Sequence, residues 1–246
     1  MNSETLKKMK RTPIAFLCTV MAVFSFFASC ADYETDMAPE VEMDEAVDPN
    51  GIVTVKKTDA GVIYFQLGWA TTLEPVGWRT AFSKEVRALI NYSELSEASE
   101  DFTKKVRVNW IEGIKTEDAT EAVKPSLCDP VVLYTDWQTV FEDGYMTIHF
   151  AVQGNKKSID KHRFSLLVDK NDPTRVYFLH DKNGDKGKDW IEKILAFRVS
   201  PFIPESGDGG SPVRISFHWM SYDKGGCMIP FISGDTAMMD ETGSDG

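Results

Sequence analysis

Apolar residues recur at every second position through most of this chain, the period of a strand with one face buried. In "GIVTVKKTDAGVIYFQL" (51–67) Val53 and Val55 alternate, "TDAG" brings turn chemistry, and Val62, Tyr64 and Gln66 alternate with Ile63, Phe65 and Leu67. That stretch predicts a hairpin. "TTLEPVGW" predicts a shorter, edge-like piece, because Pro75 has no N–H for a ladder. Further on, "EVRALINYSEL" puts Val86, Ala88, Ile90 and Tyr92 on one face, and "KKVRVNWIEGI" does the same with Val106, Val108 and Trp110. About five short strands in roughly 70 residues suit a small barrel of the OB type.

The alternation lapses over 119–130, "ATEAVKPSLCDP", where Pro125 and Pro130 stand, and then resumes. "WQTVFEDGYMTIHFAVQG" predicts a hairpin turning at Asp143 and Gly144, with Met146, Ile148, Phe150 and Val152 facing one way. "HRFSLLVD", "TRVYFLHD", "WIEKILAFRVS", "PVRISFHWMSY" and "GCMIPFI" follow, parted by Gly-, Asp-, Asn- or Pro-containing turns. About seven strands in about 100 residues predict an antiparallel β-sandwich. The expected fold class is therefore all-β: a small OB-like barrel over 51–122, then an antiparallel sandwich over 123–233.

The amino end breaks the pattern. Residues 1–11 carry Lys7, Lys8, Lys10 and Arg11, and the 18 residues from 12 to 29 carry no charge. A basic start, an apolar run and the small pair Ala28-Ser29 describe a signal peptide over 1–29. The run also approaches the length of a membrane span, but "FFASC" resembles a bacterial lipobox, with Phe27 where leucine is usual. The resemblance implies that Cys30 is acylated and that the leader is cut before it. Several acyl chains hold a protein stably on a bilayer where one does not. The membrane is thus an expected partner, through the lipid.

Charge refines this picture. Net charge is −11, but residues 31–50 hold eight acids and no base, and 234–246 hold four acids and no base. Most of the excess sits at the two ends, so 30–50 reads as a lipidated cysteine with an acidic tether and 234–246 as a disordered acidic tail. Acidic residues just after a lipidated cysteine resemble a surface-sorting signal, and Ala31 lacks the aspartate of inner-membrane retention. An outer-membrane lipoprotein is expected, on the periplasmic or the cell-surface face. Cys18 leaves with the leader, so Cys128 and Cys227 remain in a disulfide-permissive compartment. A bridge between them would close a loop of about 100 residues, and two buried thiols are the alternative.

The order of parts resembles the NigD-like lipoproteins: lipobox, acidic tether, an OB-like module with "VRALINYSEL", then a sandwich with "FEDGYMTIHF" and a "HDKNGD" turn. The resemblance spans nearly the whole mature chain. It implies an N-terminal OB-like domain, a C-terminal β-sandwich and export in a Gram-negative anaerobe, with no established activity. The long "SEASEDFTKK" stretch and the Gly-rich "ESGDGGSP" (205–212) depart from it.

Candidate chemistry is sparse. In "DKNGDKGKDWIE" the oxygens of Asp181, Asn183, Asp185, Asp189 and Glu192 have the spacing of an EF-hand-like calcium loop. Lys186 occupies the place of the turn glycine, Gly187 comes one residue late, and three lysines crowd the loop, so a polar hairpin turn at Asn183-Gly184 is the stronger reading. His149, His162, His180 and His218 lie in four different predicted strands without the paired spacing of a zinc site. No cofactor is implied. Of the barrel aromatics, Trp69, Trp78 and Tyr92 are candidates for binding. Nucleic acid is excluded as their ligand, because 51–122 holds nine bases against eleven acids and offers no positive track. The expectation is a non-enzymatic envelope protein with a binding or assembly role toward a protein or polysaccharide. The alternative is a carbohydrate-active or other hydrolytic enzyme at the cell surface.

Overall fold

The structure, a computed structural model, describes residues 48–79, 82–123, 129–204 and 211–233. Cys30, Cys128, most of the acidic tether and the acidic tail lie outside them. No helix among the described residues is long and apolar enough to cross a membrane.

Five strands, β1 (Gly51–Lys57), β2 (Ile63–Leu67), β3 (Thr71–Pro75), β4 (Val86–Glu94) and β5 (Lys104–Gly113), close into a barrel in the order β1-β2-β3-β5-β4. Val53, Val55, Phe65, Leu73, Ala88, Ile90 and Val106 fill it, the inward set that the two-residue period predicts. β3 is no edge strand. It pairs with β2 on one side and runs parallel to β5 on the other, and Pro75 is tolerated because it is the last residue of the strand. A register shift at Asn91/Tyr92 lets the long β4 curl around the barrel against β5.

The chain then builds a two-sheet sandwich. Its strands are β6 (Thr116–Asp118), β7 (Thr120–Ala122), β8 (Val132–Leu133), β9 (Val140–Glu142), β10 (Tyr145–Gly154), β11 (Arg163–Asp169), β12 (Asp172–Asp181), β13 (Asp189–Arg198), β14 (Arg214–Ser221) and β15 (Gly225–Ile232). One sheet runs β6-β13-β10-β8 with β9 also on β10; the other runs β15-β14-β12-β11-β7. Most pairs are antiparallel; β6 with β13, β7 with β11 and β12 with β14 are parallel. Met146, Ile148, Phe150 and Val152 enter the shared core with Phe178, Phe197, Phe217 and Phe231. The β9–β10 hairpin turns at Asp143 (φ 50) and Gly144 (φ 75), both in the left-handed region that a two-residue hairpin needs.

A second expectation needs correction. The barrel ends at Gly113, and residues 116–122, placed with it by the lapse of alternation further on, belong to the sandwich. β6 joins one sheet and β7 the other, with Ala119 buried between them in the sandwich core. Two three-residue strands are too short to show a period of two, so the pattern had no means of marking the change.

Much of the outward faces of β1 and β4 is covered. Ile52 and Ile114 pack against Val140 and Ala196, with Leu89 and Ile194 alongside, in a small apolar cluster that joins barrel to sandwich. Three polar links flank it. Lys56 pairs with Asp143 at 2.5 Å; Tyr145 donates to Glu85 and accepts from Arg198; and Arg87 reaches across to Glu142. Arg87 is fully buried. Its other N–H groups go to Thr54 Oγ1 at 3.0 Å and Thr147 Oγ1 at 3.3 Å. A guanidinium cannot shed its charge, so a buried one must be paired. Arg87→Met should leave Glu142 buried and unpaired and lower unfolding free energy by about 3–5 kcal/mol, whereas adding Glu142→Leu should restore much of it. Urea denaturation of both variants checks this.

Candidate functional site

The outward face of the β10–β13 pair continues past the barrel. Cross-strand partners on this face are Thr147 with Ala196, His149 with Ile194, Ala151 with Glu192 and Gln153 with Trp190. The barrel covers the first of these rows, and the last lies open. At the boundary His149 is held between two carboxylates. Its Nδ1 is 2.6 Å from Asp136 Oδ2 and its Nε2 is 2.7 Å from Glu192 Oε1. Carboxylates only accept, so both contacts are hydrogen bonds when the ring carries two protons.

The loop before β9 places Asp136. Thr139 Oγ1 donates to Tyr134 O at 2.5 Å and accepts from the His149 N–H at 3.0 Å, while the Tyr134 ring lies against the imidazole at 4.5 Å. Asp136 Oδ1 accepts from Gln138 N–H, so both its oxygens are engaged. On the other side Glu192 stands on β13, two residues from Trp190 and on the same face, about 7 Å along the strand. Trp190 is 52% exposed, braced edge-on by Tyr222 at 5.0 Å and 71°. The Lys182 ammonium lies over the other ring of this pair, 5.7 Å from the Tyr222 centroid. Trp137, next to Asp136 in the chain, is also exposed.

A second polar cluster is buried where the β12–β13 turn crosses the 3₁₀ turn Ile159–Lys161. His180 Nδ1 lies 3.2 Å from the carbonyl of Pro130 and must carry a proton there. Burial pushes the His180 pKa down to about 4, with the neighbouring His162 and Lys182 adding to the shift against the opposing pull of the Pro130 carbonyl and Asp129. His180 Nε2 therefore accepts from His162 Nδ1 at 2.9 Å. His162 Nε2 lies 3.1 Å from Asp185 Oδ2. That carboxyl is held well below the usual range, first by the Ser158 hydroxyl and then by the N–H groups of Asn155 and Gly187.

The five oxygens with calcium-loop spacing do not converge. Asp185 turns inward to these donors, Asp181 accepts from the Asn183 N–H, and Glu192 serves His149. Among the described residues no group of three or more His, Cys, Asp or Glu could hold a metal. The turn itself is the polar hairpin of the sequence pattern, with Asn183 (φ 49) and Gly184 (φ 80). Gly187 has its own reason: a Cβ there would stand 2.1 Å from Asn155 N, so only glycine lets the two backbones cross.

Of the barrel aromatics, Trp69 is 79% exposed on the β2–β3 turn, which the Gln66 amide ties at Gly68 O and Thr71 O. Trp78 packs edge-on against Phe65 at 5.1 Å, and both it and Tyr92 rest on the barrel core. Cys227 lies on β15, half-buried, opposite Trp219. Sequence reasoning missed Asp136, His149 and Trp190 as a group, because alternation shows only that His149 faces outward. The pairing of His162 with His180 had a faint signal. Both flank the turn between β11 and β12 at nearly equal distance, which places them on neighbouring strand ends in an antiparallel hairpin.

Family models match both modules: a NigD-like N-terminal OB domain over residues 52–114 and a NigD-like C-terminal β-sandwich domain over 113–228. No curated protein matches the chain. Among solved structures, a protein of unknown function from Bacteroides vulgatus is 17% identical with a TM-score of 0.60, covering 77% of this chain and 95% of its own. A protein from Parabacteroides distasonis described as toxin-related is 20% identical with a TM-score of 0.57, over 76% and 93%. An uncharacterised protein from Parabacteroides merdae is 11% identical with a TM-score of 0.51, over 75% and 98%. At these identities the likeness is one of fold.

Two outcomes follow for the buried cluster. His180 has a folded pKa below its unfolded value of 6.5, so the unfolded chain binds a proton first on acidification. Its contribution to stability should fall between about pH 6.5 and pH 4 and level off below. Denaturation midpoints across that window should show the slope, and His180→Asn should flatten it. Gly187→Ala should lower stability by about 1–3 kcal/mol through the backbone clash, read as a lower midpoint at neutral pH.

Proposed function

Because the chain belongs to the NigD-like family, we propose that it is an exported, lipid-anchored envelope protein whose two-module body binds a partner without chemical turnover. The lipobox-like "FFASC" and the acidic stretch after Cys30 support the anchor and a tether of about 20 residues, several nanometres when extended. The same acidic stretch supports a location at the outer membrane, on the periplasmic or the cell-surface face.

The observation that carries the binding reading is the exposure of three indoles, Trp69, Trp137 and Trp190, where the other aromatic rings among the described residues are buried or half-buried. Each forgoes on the order of 2 kcal/mol of burial, and exposed apolar surface of this kind marks contact sites. The disposition of carboxylates supports binding over hydrolysis. A glycosidase pair must leave room between its two carboxyls for a sugar bond and a water. Here the space between Asp136 and Glu192 is filled by His149, itself buried, and Asp136 has both oxygens engaged.

Two measurements test the proposal. Cys30→Ala should move the protein from the membrane to the soluble fraction, and mass spectrometry of wild-type protein should find an acylated amino-terminal Cys30. Immobilised protein should retain material from solubilised envelopes, and the double variant Trp137→Ala/Trp190→Ala should retain about tenfold less or below. An unmodified Cys30 would remove the anchor, and equal retention by the double variant would remove the site.

A further inference from the structure

We propose that the open end of the β10–β13 face binds the apolar face of a neutral sugar residue in an extended glycan, with Trp190 as the stacking platform. The inference rests on the binding reading above and names the ligand class of that same site. Three features decide it. The indole is fixed in place: Tyr222 packs edge-on against it at 5.0 Å, and the Tyr222 hydroxyl accepts from the Gln153 N–H at 2.8 Å, which ties the brace to the strand beside Trp190. Beside that brace Trp190 keeps 52% of its surface exposed, and a rigid aromatic surface loses little entropy when a flat ligand lands on it.

Hydrogen-bonding groups stand at the reach of a sugar's hydroxyls. Gln153 is the cross-strand partner of Trp190 on the same face. Glu192, one strand step away with its side chain 63% exposed, offers Oε2, while Oε1 is anchored by His149. A carboxylate held on one oxygen is pre-oriented for a donor at the other, the arrangement that sugar hydroxyls match and that bare apolar ligands do not.

Charge excludes the competing ligands. Asp136 and Glu192 both bond to His149, and Lys182 lies over Tyr222 with its backbone N–H bonded to Asp129 at 2.8 Å. Both signs of charge stand beside the indole. An anionic polymer would meet Glu192 and Asp136, and a cationic peptide would meet Lys182 at the brace, so an uncharged polyhydroxylated ligand fits best.

The test is affinity gel electrophoresis of the full mature chain in non-ionic detergent. The gels are cast with yeast mannan, soluble amylopectin, laminarin or arabinogalactan as neutral probes, and with polygalacturonate or chondroitin sulfate as anionic ones. At least one neutral polymer should retard the protein, Trp190→Ala should weaken retardation about tenfold or more, Glu192→Gln should weaken it less, and Met228→Ala, at an exposed position of β15 in the other sheet, should leave it unchanged. Retardation by anionic polymers alone, or retardation that survives Trp190→Ala, overturns the proposal. Envelope material separates this failure from failure of the binding reading. Capture destroyed by periodate and not by protease supports a glycan. Capture destroyed by protease alone overturns the glycan while leaving a binding protein.

Discussion

A permanently charged side chain with no exposure to water constrains everything around it, and in this molecule that side chain is Arg87. It stands on the outward face of β4, where an isolated barrel would leave it solvated. The sandwich covers that face, so the guanidinium must find its acceptors across the seam, and it does so in Glu142 and Thr147 as well as Thr54 of its own barrel. A planar fork satisfied on two bodies at once admits few relative orientations. The apolar cluster of Ile52, Ile114, Val140 and Ala196 supplies cohesion at the same seam. Apolar contact alone is non-directional; the buried charge supplies the direction.

That orientation decides how much of the β10–β13 face remains free. The apolar cluster of the seam reaches Ala196 and Ile194 on β13, the partners of Thr147 and His149 on β10. A barrel seated further along β13 would meet Glu192 and then Trp190. The interface and the candidate site are thus neighbours on one strand, read out two residues at a time. The His162–His180–Asp185 chain does related work at the far end of the sandwich. It pins the 154–162 segment to the β12–β13 turn, the turn that leads directly into Asp189 and Trp190. A firm turn there keeps the start of β13, and so the indole, in place.

Particular residues show how much could be read without coordinates. Alternation in "GYMTIHFAVQG" placed Met146, Ile148, Phe150 and Val152 in the core, and Asp143-Gly144 and Asn183-Gly184 at hairpin turns, because strand period and positive φ are local properties. β3 was misjudged as an edge, since Pro75 says only that its own N–H is missing and nothing of the barrel closing beyond it. The module boundary was set late, because β6 and β7 are shorter than one cycle of any detectable pattern. Glu192 drew notice for its spacing from Asp181 and belongs instead to His149, which precedes it by 43 positions. Trp78 and Tyr92, candidates by residue type, lie on the barrel core, and Trp69 stands clear of it.

By itself the sequence determined the all-β class, the succession of a small barrel and a sandwich, and the inward set of β10 and of most barrel strands. Each of these follows from interactions between residues close together in the chain. Tertiary structure alone decided that Arg87 is buried, that His149 sits between Asp136 and Glu192, and that Trp190 stays open while its neighbours are covered. Those outcomes depend on which outward faces meet. An outward polar residue looks the same in a sequence whether water or another module lies beyond it.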